Sequence, residues 1–125
     1  MLYKIIMIYE MNLHDEPFNA IKRNQKVIEM RLNDERRKDL KVNDLIIFSN
    51  NLTNEKLEVI ILDIKKYHDF YELYSNYKKE ELGYLKNEIA DPKDMYEYYS
   101  KEQILKYGVL AIKIKVNDNF NNFKN

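Results

Sequence analysis

Asn24-Gln25-Lys26-Val27-Ile28-Glu29-Met30-Arg31-Leu32-Asn33-Asp34 reads as a tight turn running into a short strand. Successive side chains of a strand point to opposite faces. Ile28, Met30 and Leu32 therefore share one face, and Val27, Glu29 and Arg31 the other. An apolar face toward a core with an acid–base pair opposite belongs at the rim of a small barrel. Glu29 and Arg31 point the same way, so they either neutralise each other or hold one polar ligand between them. Lys26 stands where turn becomes strand, and loops carried on a rigid sheet are where sites tend to lie. The plainer alternative is a solvent-facing pair worth under about 1 kcal/mol.

Upstream, residues 3 to 10 read as a first strand, rich in Ile and Tyr. Asp15-Glu16-Pro17 opens a helix, with Asp15 as N-cap and the proline in the first turn. Phe18 and Ile21 then face the core, Lys22 and Arg23 suit the C-terminal end, and Asn24 supplies a left-handed stop. Downstream, Asn33–Arg37 is a capped helical turn and Asn43-Asp44 a tight one. Leu45–Phe48 is a strand, Asn50–Asn54 a hairpin-type loop, and Leu57–Ile64 the longest strand. Closely spaced strands with one early helix argue for a small barrel.

From Tyr67 the period changes, and Phe70, Leu73 and Tyr74 fall at helical spacing. Gly83 ends one short element and Asp91-Pro92 opens another. Ser100-Lys101-Glu102-Gln103 fits the capped start of a last helix that stops at Gly108. Val109–Val116 is the closing strand. Without an internal repeat or a linker, the expectation is one domain over residues 1–116 and a frayed, Asn-rich tail over 117–125.

A chain of 125 residues, 45% hydrophobic and 34% charged, has the size and make-up of one globular domain with a buried core. The absence of cysteine removes disulfides, thiolate zinc sites and a Cys nucleophile, and fits a reducing compartment. The apolar run before Glu10 is too short for a membrane span and lacks a cleavage pattern, so the expected location is the cytoplasm, with no membrane partner. Basic and acidic residues balance at 21 each. Gripping long nucleic acid by its phosphates goes with a basic excess, so a nucleic-acid role must rest on a local patch or pocket. Residues 22 to 41 carry such an excess, eight Lys and Arg against four Asp and Glu.

Lys26 is the sharpest chemical candidate. Burial disfavours the charged form of a lysine, which could then act as a base or hold an anionic or carbonyl oxygen. The plain alternative is a surface lysine in a turn. His14 and His68 have no Cys or HExxH context, so no metal is expected. Ser49, Ser75 and Ser100 lack nucleophile-elbow glycines, and Gly83 and Gly108 alone make no phosphate loop. No cofactor is implied. Of the eleven tyrosines, Tyr96, Tyr98 and Tyr99 form a dense run that could stack bases or fill a core with hydroxyls at the surface.

Lys26-x-x-Glu29-x-Arg31, Leu32-Asn33-Asp34-Glu35-x-Arg37, the Lys41-Val42-Asn43-Asp44 turn, and Tyr98-Tyr99-Ser100-x-Glu102 with Tyr107-Gly108-Val109-x-Ala111-Ile112 together resemble the ASCH (activating signal cointegrator homology) family. Asn24 stands in place of the signature's glycine, and Asn43 in place of a later one. Asn is the best non-Gly occupant of the left-handed region, which keeps the geometry available. The resemblance covers nearly the whole chain. It implies an α+β, PUA-like small mixed β-barrel with helices inserted between strands, and a charged cleft for RNA or a nucleoside-like small molecule. Lys26 and Arg31 would hold phosphate or carbonyl oxygens, Glu29 would accept from a base edge or fix Arg31, and Tyr84 or Tyr99 would stack.

Some members of that family are small amidohydrolases that deacetylate N4-acetylcytidine with a Lys, a Thr and a Glu. Lys26 aligns with their Lys, their Thr falls on Glu29, and their Glu falls near Glu80 or Glu81. If the chain is an enzyme, Lys26 and Glu29 are the catalytic candidates. Ribonuclease and protein-interaction roles are further readings. Oligomeric state is not legible.

Overall fold

The elements that form are those whose apolar residues repeat at strand or helix spacing. The computed structural model describes residues 5–118. In chain order these carry β1 (Ile8–Leu13), α1 (Asp15–Lys22), β2 (Ile28–Leu32), β3 (Leu45–Asn50), β4 (Lys56–Tyr67), α2 (Phe70–Tyr74), a 3-10 helix (Pro92–Glu97), α3 (Lys101–Tyr107) and β5 (Val109–Val116). The five strands make one sheet in the order β1-β3-β4-β5-β2. β1 and β3 run parallel and the other neighbours antiparallel. The sheet curls into a half-barrel with helices, the α+β, PUA-like class expected. A register shift between Ile61 and Asp63 marks a bulge in β4. Such an extra residue bends its strand and lets one long strand serve two cores.

Those two cores sit on opposite faces of β5 and β2. Glu29 pairs in register with Ile112 and Arg31 with Leu110, while Met30 pairs with Ala111 and Leu32 with Val109. Leu110 and Ile112 belong to the cluster that Phe18 and Ile21 of α1 fill together with Phe48, Val59 and Ile61. Ala111, Val109, Met30 and Leu32 belong to the other, with Phe70, Leu73, Met95 and Ile104 from the segments between β4 and β5. The charged face of β2 thus looks toward the α1 side of the sheet, not out from a rim, and its apolar face carries the inserted helices.

Three expectations shift. The first strand begins at Ile8, not residue 3, because its ladder to β3 starts at the Ile8–Leu45 pair; residues 3 and 4 lie outside those described. His14, not Asp15, is the N-cap of α1. Asp15 is inside the helix and accepts from the side-chain amides of Asn19 at 3.0 Å and Asn50 at 2.9 Å, so it ties the helix to the end of β3. Asn117 is bonded through its backbone N–H to the Glu58 carbonyl at 2.9 Å, and residues 119–125 of the expected tail lie outside those described. Asn24 and Asn43 take φ of 63° and 78°, the left-handed conformation anticipated for each. The Ser100 capping box forms with both of its bonds, Gln103 N–H to the serine hydroxyl at 3.1 Å and Ser100 N–H to the Gln103 side-chain Oε1 at 3.0 Å.

Candidate functional site

The turn that carries Lys26 is fixed from both sides. As α1 ends, the Gln25 and Lys26 N–H groups both donate to the Ala20 carbonyl, at 2.9 and 3.0 Å. Val27 and Ile28 then donate to the Glu81 carbonyl, each at 3.0 Å, and the Gln25 amide reaches the carbonyls of Glu80 and Tyr84. Backbone satisfaction of this kind decides where a buried segment can run. It also brings Gly83 against the Lys26 stem. A Cβ on Gly83, whose φ is +105°, would stand 3.0 Å from Lys26 Cδ.

Glu29 is 2% exposed and both its oxygens are occupied. Oε1 lies 3.1 Å from Lys26 Nζ and accepts from Met30 N–H at 3.2 Å. Oε2 receives Arg31 Nε at 2.9 Å and Nη2 at 2.8 Å. Burial pushes the Glu29 carboxyl up, but Lys26 and then Arg31 outweigh it and hold the group down at about 2. For the Arg31 guanidinium, burial works against the charge and Glu29 outweighs it, with the Tyr99 hydroxyl also bonded to it.

Arg31 does one thing more. Among the described residues β1 and β2 are the two sheet edges and no ladder joins them. Arg31 Nη2 crosses that seam to the Asn12 carbonyl at 2.9 Å. The guanidinium is therefore a clamp, with its donors directed at protein. Lys26 differs. Its side chain is 9% exposed, yet among the described residues its ammonium has Glu29 as its one hydrogen-bond partner. An ammonium has three N–H donors, so two remain for something else.

Beside Lys26, Glu29 and Arg31 lies a cavity of about 150 Å³, walled further by Leu13, His14, Met30, Met95, Tyr98 and Tyr99. The three charged residues picked from sequence converge here, and Tyr99 joins them. Its ring stacks on Phe70 with centroids 6.1 Å apart and planes at 11°, so one face is already covered. Tyr84 does not line this cavity. It lines a neighbouring groove of about 640 Å³, where its hydroxyl is held by the Tyr74 hydroxyl at 2.8 Å and Asp94 Oδ2 at 2.7 Å. Burial and those two partners push the Tyr84 hydroxyl far up. Glu80 and Glu81 line neither space, and the Glu81 carboxylate instead accepts from Lys78 N–H. Tyr98, which sequence reasoning left unassigned within its aromatic run, lines both spaces and lies 5.7 Å ring to ring from His14. Among the described residues no three His, Cys, Asp or Glu side chains gather as metal ligands.

The model of the ASCH domain matches residues 11–117, nearly the whole described chain. The chain belongs to the ASCH domain family. This ASCH domain is similar to the hypothetical protein PH0355, with 32% identity over 89% of this chain and 100% of that one, at a TM-score of 0.75. It is similar to protein PF0455 from Pyrococcus furiosus, with 34% identity over 88% and 97% of the two chains and a TM-score of 0.65. The ASCH domain from Lactobacillus crispatus shares the fold at 13% identity, covering 88% and 79%, with a TM-score of 0.57. No curated protein matches the chain.

Proposed function

We propose that this ASCH domain is a binding module for RNA or a modified nucleoside, and that it takes one base into the cavity beside Lys26. The observation that carries the reading is Lys26 itself, a buried cation with N–H donors unmatched among the described residues, at the wall of an aromatic-lined cavity. A cavity near 150 Å³ is of a size known to accept a benzene ring, so one flat heterocycle is the scale of guest that fits. Lys26 donates to a carbonyl oxygen or ring nitrogen of the base. Glu29, with both oxygens occupied, orients Lys26; Arg31 holds the seam shut behind it. Tyr98 and Tyr99 supply ring surface.

No helix among the described residues is long and apolar enough to cross a membrane, and the cytoplasm is the location we propose. The test is calorimetric titration with short RNAs and nucleosides at low salt. Saturable binding that weakens at least about tenfold in Lys26→Met, the loss of one charge-assisted hydrogen bond, is the expected result. Binding that is unchanged in that variant removes the site.

The alternative, a small amidohydrolase of N4-acetylcytidine-like nucleosides using Lys26 and Glu29, meets a physical obstacle. An efficient general base has a pKa near the working pH, and Glu29 is held at about 2. Incubation with N4-acetylcytidine is expected to leave it intact, and turnover lost in a Glu29→Gln variant that remains folded would restore this reading.

A further inference from the structure

Resting on that reading, we propose that of its two candidate guests, RNA and a free nucleoside, the site selects the unphosphorylated nucleoside, and that Glu16, Asp94 and Glu97 are the residues that disfavour nucleotides and RNA chains. A ring seated beside Lys26 must send its sugar outward, and two neighbouring spaces share the cavity's wall. On one side the cavity meets the seam between β1 and β2, where Arg36 and Arg37 stand. Arg31 bars that side, because its guanidinium spans the gap to the Asn12 carbonyl at 2.9 Å. On the other side the cavity adjoins the larger groove along Pro17, Lys26, Met30, Met95 and Tyr98.

That groove is acidic. Asp15, Glu16, Glu88, Asp94 and Glu97 line it against Arg23 and Lys26, and Lys26 is already paired with Glu29. Asp15 is occupied by Asn19 and Asn50; Glu16, Asp94 and Glu97 are exposed, Asp94 with its Oδ2 accepting from the Tyr84 hydroxyl. Their field reaches the shared wall: the Tyr98 hydroxyl is pushed up by its burial and then by Glu97, Glu29, Glu16 and Asp94. A phosphate leaving the cavity by this route enters a surface of its own sign, and like-charge juxtaposition suppresses the wrong partner. A ribose meets no such penalty, because its hydroxyls donate to carboxylates.

The experiment titrates the whole chain with cytidine, uridine, adenosine, guanosine and N4-acetylcytidine, each against its own 5′-monophosphate, at low and high salt. The expected result is a nucleoside that binds about tenfold or more tightly than its monophosphate. The difference should shrink as salt rises, because exposed charges are screened within roughly 10 Å at 0.1 M. In Glu16→Gln/Glu97→Gln the monophosphate should gain affinity while the nucleoside keeps its own, a split that a merely structural role would not give. A monophosphate or short RNA that binds as tightly as the nucleoside in the unaltered chain overturns the selectivity and leaves the base cavity standing. Absence of binding by every nucleoside and nucleotide overturns both.

Discussion

Two lysine–glutamate ion pairs, their lysines four residues apart, differ in what surrounds them. Lys22 Nζ meets Glu55 Oε2 at 2.5 Å with side chains 51% and 40% exposed. Lys26 meets Glu29 at 3.1 Å with side chains 9% and 3% exposed, and Arg31 shares the same carboxylate. The shorter contact is the weaker constraint. In water, the pair at the surface gains little over the hydration that each partner gives up. In the half-barrel Glu29 has no water to return to, so removing it strands two cations, and removing either cation unbalances the rest. Distance alone says nothing about importance here; burial and the number of partners do.

The sharpest way to break this contrast is Glu29→Gln, which leaves Lys26 and Arg31 buried without their counter-charge. Urea unfolding should show a loss of about 3–5 kcal/mol, the range for breaking a buried pair by removing one partner. Next comes acid. Glu29 titrates at about 2 in the fold against an ordinary 4.5, so the unfolded chain takes up its proton first as pH falls. The stabilisation is complete above about 4.5, is lost progressively down to about 2, and amounts to roughly 3 kcal/mol. Denaturation midpoints followed from pH 6 to pH 2 should trace that loss, and Glu29→Gln should flatten it.

A smaller effect comes from Gly83→Ala, which adds a methyl 3.0 Å from Lys26 Cδ at a φ of +105°. The cost should be about 1–3 kcal/mol, with ligand affinity falling as well because the Lys26 stem must move. Stability that falls while affinity holds would show that the stem does not set the position of the ammonium. The smallest belongs to the surface: Lys22→Ala should change stability by less than about 1 kcal/mol, and less still in high salt. A change as large as that of Glu29→Gln would erase the distinction between the two pairs.

Much of the architecture could be read along the chain because it is written in local chemistry. The Ser100 cap, the left-handed asparagines at 24 and 43, and the alternation of β2 all depend on neighbours within a few residues. The site was legible only in part. Lys26, Glu29 and Arg31 could be named because they crowd one turn and strand, but their burial could not, since period-2 alternation puts Glu29 and Arg31 on one face without saying what covers it, and Lys26 stands in the turn before the strand. Tyr84 and Tyr99 looked alike in the sequence. They part in the fold because Tyr84 hangs on Asp94 in the groove while Tyr99 leans on Phe70 at the cavity.

By itself the sequence determined the elements, the family signature and the Glu29–Arg31 pair on a single strand face with Lys26 in the turn before it, since hydrophobic period, caps and turn residues act over short range. Tertiary structure alone decided that this face turns toward the α1 side of the sheet, that Arg31 bridges two edge strands nineteen residues apart, and that Lys26 keeps donors to offer. Those outcomes follow from which surfaces exclude water and which carbonyls come within reach, and both are set by contacts between segments distant along the chain.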